Sequence, residues 1–327
     1  MKILSIDGGA SQTRGVIFSP SGAVQIFRST DPTSLSRPGG VSIEKLRHFI
    51  PAIVEEAGLK LQDVGLICLG LAGASNEAAR ETLFKELDKL DLGGRLIITS
   101  DVEAAFESVW GGEPGVLISV GSGAIAWARD EQGSSYRASG RGAQLGGDPG
   151  SGYWLGKTLL VRLIMLEAET GPQLDAMRQL VINHYQAANF EDAARLAGES
   201  ADDIKKLAGL GRPICEEAEK GNQIALAIVQ EGSMTLAEEV MDMLDRAGMK
   251  RDVMTLGMNG SILVRNRIFR QLLAEAMLYE IPEIDWKGPA LDPAFGAGLL
   301  AARLRDISLD TEALKASWEA LDVPALG

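Results

Sequence analysis

Two short runs of small residues carry the first chemical signal in this 327-residue chain. Gly8-Gly9-Ala10-Ser11-Gln12-Thr13 and Gly121-Ser122-Gly123 each lie between apolar, strand-like runs. In a tight hairpin, small residues let backbone N–H groups approach an anion closely. The hydroxyls of Ser11, Thr13 and Ser122 add donors. That chemistry suits phosphate. Asp7, at the end of its strand, can hold Mg²⁺ through water, because magnesium keeps much of its hydration shell. Two such hairpins could clamp one triphosphate from either side. Each alone reads as a plain turn; the matched pair carries the functional reading, a bound triphosphate with Mg²⁺.

Two further carboxylates stand at special places. Asp101 follows a strand-like run, Arg95 to Thr99, and precedes a helical one, Glu103 to Trp110. That is the crevice position at which α/β sheets bind ligands. By itself it also reads as a helix N-cap. Asp148 lies in the glycine-rich stretch from Gly147 to Gly152, where turn chemistry alone would favour an aspartate. Gly257, Gly260 and Ser261 follow a short strand, Val253 to Leu256; a strand-to-helix turn with Ser261 as N-cap is the competing reading there.

Other motifs fail on their own terms. Gly152 to Thr158 resembles a P-loop, but it has three residues between its glycines where four are needed, and no strand precedes it. Lys157 is then a solvated helix residue. Gly121 to Ala126 matches a dinucleotide-binding glycine pattern, but a strand follows instead of a helix, and Arg141 stands where an acid is required. The histidines, His48 and His184, lie in helix-like stretches among polar and apolar neighbours, and no G-x-S-x-G is present, so serine–histidine hydrolysis and histidine–zinc chemistry are disfavoured. Cys68 and Cys215 cannot build a disulfide framework or a four-thiolate site. Cys68, within the apolar run Val64 to Leu71, reads as a buried small hydrophobe.

The elements that must position these residues read as α/β. Lys2 to Asp7, Arg14 to Ser19 and Ala23 to Arg28 form a strand meander, and a loop rich in Pro, Ser, Thr and Gly leads to a helix N-capped by Ser42. Strand Val64 to Leu71, helix Glu77 to Leu90, strand Arg95 to Thr99 and helix Glu103 to Trp110 follow. After the Gly111–Gly115 boundary the layout repeats: ILSIDGGASQTRGVIFSPSG and VLISVGSGAIAWARDEQG share strand, small-residue turn, strand and polar turn, with Asp7 and Val120 in matching places. The chain then turns mostly helical from Ser151 to Leu244. Helices are expected over Arg265 to Leu278 and Pro293 to Leu304, where Gly296 and Gly298 serve close packing, with one more from Thr311. The domains are 1–113 and 114–327, the last helices free to pack back on the first. Acidic residues number 45 against 32 basic, a net charge of −13, which disfavours nucleic acid. No run approaches ~18 apolar residues, so no membrane span is expected. The start lacks a signal pattern, which suggests a cytoplasmic protein.

Taken in order, these segments resemble the sugar-kinase/actin/Hsp70 superfamily of ATPases, and within it the N-acetylglucosamine kinase branch of BadF/BadG type. Asp7 to Thr13 matches the phosphate-1 motif, Gly70 to Ala74 the strand end near the sugar, and Asp101 the catalytic aspartate. Gly121 to Gly123 matches phosphate-2, Gly147 to Trp154 a GDEGSGYW-like segment, and Leu256 to Ser261 the adenosine motif. The resemblance implies two ribonuclease H-like domains with a central cleft. It also implies transfer of the ATP γ-phosphoryl group to a hexosamine, most simply the 6-hydroxyl of N-acetylglucosamine. Glucosamine, or a sugar sensor without turnover, are the alternatives. ATP would meet Gly8, Gly9, Ala10, Ser11, Thr13, Gly121, Ser122, Gly123, Gly257, Gly260 and Ser261. The sugar would meet Ser34, Gly73, Asp101, Asp148 and Gly152, and Asp7 would hold the metal. A homodimer is implied too. Departures fall at Ala10, Ser11 and Ser122, at Pro149 in place of Glu, and at Ala124-Ile125 in place of a Ser-Asn pair.

Overall fold

A computed structural model describes residues 1–9, 12–36, 40–142, 147–199 and 204–321. Ala10 and Ser11 lie outside the described residues. The chain divides into two compact units, Met1–Glu113 with Pro289–Gly327, and Pro114–Gly288.

In the first unit, β1 (Lys2–Gly8), β2 (Thr13–Phe18) and β3 (Val24–Thr30) form an antiparallel meander, and β4 (Val64–Leu71) and β5 (Leu96–Ser100) extend the sheet in parallel. The strand order is β3-β2-β1-β4-β5. The two-residue period of side-chain direction puts Leu4, Ile6 and Ile17 on one face, against helices α1 (Val41–Glu56) and α2 (Glu77–Asp88). Ile3, Val16 and Phe18 face the other way, toward α3 (Asp101–Trp110) and the returning C-terminal segment. Ser42 does not cap α1. Gly40 occupies the N-cap in the left-handed region, and the Ser42 hydroxyl instead donates to the Ser34 carbonyl at 2.6 Å.

The second unit repeats the plan. β6 (Gly115–Val120), β7 (Ala124–Arg129) and β8 (Ser135–Ser139) are antiparallel; β9 (Val253–Asn259) and β10 (Glu283–Lys287) run parallel to β6 and to each other. The order β10-β9-β6-β7-β8 is the first sheet's order with each strand replaced by its counterpart. The hairpins close on Gly8–Thr13 and Val120–Ala124. Val120 therefore corresponds to Gly8, and Ser119 to Asp7, one residue away from the match the sequence suggests. β8 and β10 escape the sequence reading because both are short and lack an apolar run, and β10 is largely exposed.

Between β8 and β9 stand α4 (Gly152–Met165), α5 (Pro172–Tyr185), α6 (Phe190–Glu199), α7 (Ile204–Ala208), α8 (Gly211–Glu219) and α9 (Gln223–Ala247). They bury one face of the second sheet. After β9 come α10 (Ser261–Arg265) and α11 (Arg267–Met277), interrupted at Asn266. A 3₁₀ turn, Pro293–Phe295, then leads into α12 (Gly296–Leu304), followed by α13 (Thr311–Glu319). These last helices belong to the first unit. The Gly298 N–H donates to Ser5 Oγ at 2.9 Å, and a Cβ at Gly296 would fall on the Ala104 carbonyl, so both glycines permit close packing. Among the described residues no helix is long and apolar enough to cross a membrane.

Candidate active site

Three parallel strands of the first sheet end level. Gly8 stands opposite Leu71, and Leu71 opposite Ser100. The turn after β1, the corner after β4 and the start of α3 therefore share one carboxyl edge, the edge that binds ligands in open α/β sheets.

Asp101 is the first residue of α3 and is not its cap. Ser100 holds the N-cap in a full capping box: its Oγ accepts from the Glu103 N–H at 3.3 Å, and Glu103 Oε2 accepts from the Ser100 N–H at 3.1 Å. Glu103 Oε2 also accepts from the hydroxyls of Ser100 (2.7 Å) and Thr99 (2.8 Å). Burial works to raise the Glu103 carboxyl, but these hydrogen bonds hold it below the usual range. The Asp101 carboxylate is thus relieved of capping. Its Oδ1 accepts the Val102 N–H at 3.0 Å, and the residue is half-buried.

Around the first turn, the Gly9 N–H donates to the Gln12 carbonyl at 3.0 Å, and the Ala72 N–H to the Gly8 carbonyl at 2.9 Å. A Cβ at Gly8 would stand 2.5 Å from Thr33 Oγ1. Thr13 is fully buried, with its hydroxyl paired to that of Thr33 at 2.7 Å. That pair fixes the turn. Ser34 is likewise 4% exposed, its hydroxyl donating to the Ala72 carbonyl at 3.4 Å. Gly73 takes a left-handed φ of 85°, its backbone packed against Ser36. Ser34 and Gly73 thereby bind the loop to the β4 corner.

Asp7 pairs with Arg14, its cross-strand neighbour in β2, and Arg14 Nη1 reaches Asp292 Oδ1 at 3.3 Å. Burial alone would lower the Arg14 guanidinium; the two carboxylates outweigh it and raise it. Burial raises Asp292 despite Arg14 and the Ala294 N–H. Among the described residues no group of three or more His, Cys, Asp or Glu could enclose a metal. One hard carboxylate, 20% exposed, is the donor set. It fits a Mg²⁺ ion that keeps its water and takes its other oxygens from a nucleotide.

In the second unit the Gly121–Gly123 turn is pinned from below. The Gly121 N–H donates to the Gly123 carbonyl at 2.8 Å, the Gly152 N–H to the Gly121 carbonyl at 2.8 Å and the Tyr153 N–H to the Ser122 carbonyl at 3.3 Å. Gly152 is buried with its N–H engaged, so it positions the turn. Asp148 is also buried, and its Oδ1 accepts the Gly142 N–H at 3.4 Å. Burial pushes its carboxyl up, against the N–H groups of Gly142 and Ala124 and the charge of Arg137, with Glu239 adding to the rise. Gly260 and Ser261 lie beside Gly121: a Cβ there would be 3.7 Å from the Ser261 nitrogen. Gly260, with φ 83°, is the N-cap of α10; Ser261 is its exposed first residue and not the cap. Gly257 is buried within β9, paired with Leu117 and Lys287. A cavity of about 790 Å³ adjoins this region, lined in part by Arg137, Glu239 and Arg246.

Lys157 is exposed on α4, and Cys68 and Cys215 are buried, the Cys215 thiol pushed up to about 12 by burial first and then by Glu219 and Glu216. The residues the sequence reading missed are Arg14, Thr33, Glu103 and Asp292. Arg14 was recoverable, because the hairpin register puts it across from Asp7. Asp292, 278 residues from Arg14, left no local signal.

The model of the BadF/BadG/BcrA/BcrD ATPase family matches residues 4–301. An N-acetyl-D-glucosamine kinase from Dictyostelium discoideum is 27% identical over 313 residues, 91% of this chain and 97% of that one. An N-acetylmuramic acid/N-acetylglucosamine kinase from Clostridium acetobutylicum is 22% identical over 300 residues, with the same two coverages, 91% and 97%. Among solved structures, a provisionally named N-acetylglucosamine kinase from Chromobacterium violaceum superposes with a TM-score of 0.70 at 21% identity, over 91% of this chain and 98% of that one. That likeness shows the fold.

Proposed function

Because this chain belongs to the BadF/BadG/BcrA/BcrD ATPase family, we propose that it is an ATP-dependent amino-sugar kinase acting on the 6-hydroxyl of N-acetylglucosamine. The observation that carries the reading is Asp101: a carboxylate at the carboxyl edge of three level strands, with helix capping delegated to Ser100 and Glu103. The names of the curated relatives support an amino sugar as acceptor.

In the reaction, the sugar hydroxyl oxygen bonds to the γ-phosphorus as the bond to the β,γ-bridging oxygen breaks, and ADP leaves. Asp101 orients the hydroxyl and takes its proton. A carboxylate suffices, because the loose transition state asks for positioning more than for strong proton abstraction. The turns at Gly8–Gly9 and at Gly121–Gly123 cradle the phosphates, with the Ser122 hydroxyl and the N–H groups of Ser122 and Gly123 as donors while the Gly9 and Gly121 N–H groups close the turns themselves, and Gly257, Gly260 and Ser261 border the nucleoside. Asp7 would hold hydrated Mg²⁺, which supplies charge neutralisation at the phosphates.

The test is ATP consumption with N-acetylglucosamine, N-acetylmuramic acid, glucosamine and glucose, in wild type and Asp101→Ala. Turnover is expected with N-acetylglucosamine and is lost in the variant. No sugar-stimulated turnover with any acceptor would leave a sensor; full activity in Asp101→Ala would remove the base.

A further inference from the structure

The triad of Asp7, Arg14 and Asp292 has more parts than the transfer reaction uses. The β1–β2 register places Asp7 and Arg14 on the same side of the hairpin, and their side chains pair there. Asp292 is fixed independently: its Oδ1 accepts the Ala294 N–H at 2.9 Å as the cap of the 293–295 turn. Arg14 therefore bridges one carboxylate at the strand end and one anchored in the C-terminal segment. All three side chains are mostly buried, at 20%, 13% and 14% exposure. One guanidinium donor, Nε, is buried with no partner among the described residues. A guanidinium presents five N–H donors in a rigid fork, so one left over is a donor available to a rearranged fork.

A guanidinium and a hydrated Mg²⁺ ion are alternative cations for the Asp7 carboxylate. Both cannot be held closely there without mutual repulsion. We propose that Arg14 is the resident counter-ion of Asp7, and that Asp292 takes Arg14 over when a metal–nucleotide complex arrives. Asp292 is then a positioning residue for metal loading. This inference rests on the reading of Asp7 as the metal-holding carboxylate.

The test measures metal binding without turnover. Mn²⁺ is titrated into the full-length protein saturated with a non-hydrolysable ATP analogue, and free Mn²⁺ is read by electron paramagnetic resonance. Arg14→Met is expected to tighten Mn²⁺ binding and Asp292→Asn to weaken it, each by at least about fivefold, the low end of typical site coupling. The handover is specified by the double variant. With Arg14 gone, Asp292→Asn has nothing to hand over, and its effect falls below about twofold, whereas a mere field effect would add. Equal effects of Asp292→Asn in both backgrounds, or no effect of either single variant, overturn the proposal. Asp7→Asn separates the two readings. If it weakens Mn²⁺ while the other variants do nothing, Asp7 stands and the handover falls; if it changes nothing, the metal role of Asp7 falls and the handover with it. Should Arg14→Met fail to fold, Asp292→Asn against Arg14→Lys/Asp292→Asn carries the comparison. Lysine keeps the charge without the fork, so the Asp292→Asn effect is expected to shrink there too, and an undiminished effect overturns the proposal.

Discussion

In the first sheet, the pair next to the hairpin's closing residues is Asp7–Arg14, with Gly70 alongside on β4. In the second sheet the same place holds Ser119–Ile125, with Asn259 alongside on β9. One register therefore presents a charged pair in one unit and, in the other, a hydroxyl bonded by an amide, Asn259 Nδ2 donating to Ser119 Oγ at 3.1 Å. The third parallel strand differs in the same direction. β5 runs into Asp101, while β10 runs into Gly288. The repeated backbone closes a hairpin at the same place in both sheets. Side chains then put the charged groups Asp7, Arg14 and Asp101 in the first unit, and leave at the second unit's turn a carboxylate, Asp148, that is buried against backbone N–H groups.

The largest expected effect tests that asymmetry directly. Asp101→Asn should lower kcat for sugar-dependent ATP turnover by about 10²- to 10⁴-fold, the usual contribution of general acid–base groups, with little change in the KM for ATP. Gly288→Ala, after the counterpart strand, should leave steady-state kinetics within about twofold, because its new Cβ meets only Met258 Cε at 3.6 Å. Comparable losses in both would end the division of labour.

Next in size is backbone strain. Alanine at Gly260 must adopt φ 83° and places its Cβ on the Val120 backbone; at Gly8 the obstacles are the side chains of Leu71 and Thr33, which can shift. Gly260→Ala should cost about 1–3 kcal/mol by urea unfolding, and Gly8→Ala less. The reverse order would contradict the model of the two turns. Thr13→Val should cost about 1–3 kcal/mol, because it orphans the buried Thr33 hydroxyl. Thr13→Val/Thr33→Val should cost less than the two single variants together; additive losses would deny the hydroxyl pair.

The smallest effect concerns pH. Burial raises the Asp148 carboxyl above its ordinary 3.8, so its protonated form is favoured in the folded state. The stability this contributes is full below 3.8 and is lost as pH rises through the folded value. Unfolding of wild type and Asp148→Asn between pH 3.5 and about 7 should therefore show the wild type losing ground to the variant as pH rises, then a constant difference. A gap that widens in favour of the wild type would mean the N–H groups outweigh burial.

Local chemistry was enough for much of this protein. The apolar runs Lys2–Asp7 and Val116–Val120, the small-residue turns after them and the placement of Asp101 between a strand and a helix are short-range properties, so the repeated hairpins and the strand-edge carboxylate were legible in the residues themselves. Where a side chain spends its hydrogen bonds was not. Thr13 and Ser34 carry hydroxyls of the right type, but packing turned them to Thr33 and Ala72; Gly152 gave its N–H to Gly121; Ser42 passed its capping place to Gly40. Short exposed strands such as Glu283–Lys287 form because a neighbour offers a ladder, and no apolar run announces them. Asp292 reaches Arg14 only after the chain has built a whole second unit and returned. Propensity and turn chemistry act over a few residues and are written in the sequence. The partner of a buried polar group is settled by which distant segment packs against it, because once water is excluded every such group must find its bond within the fold.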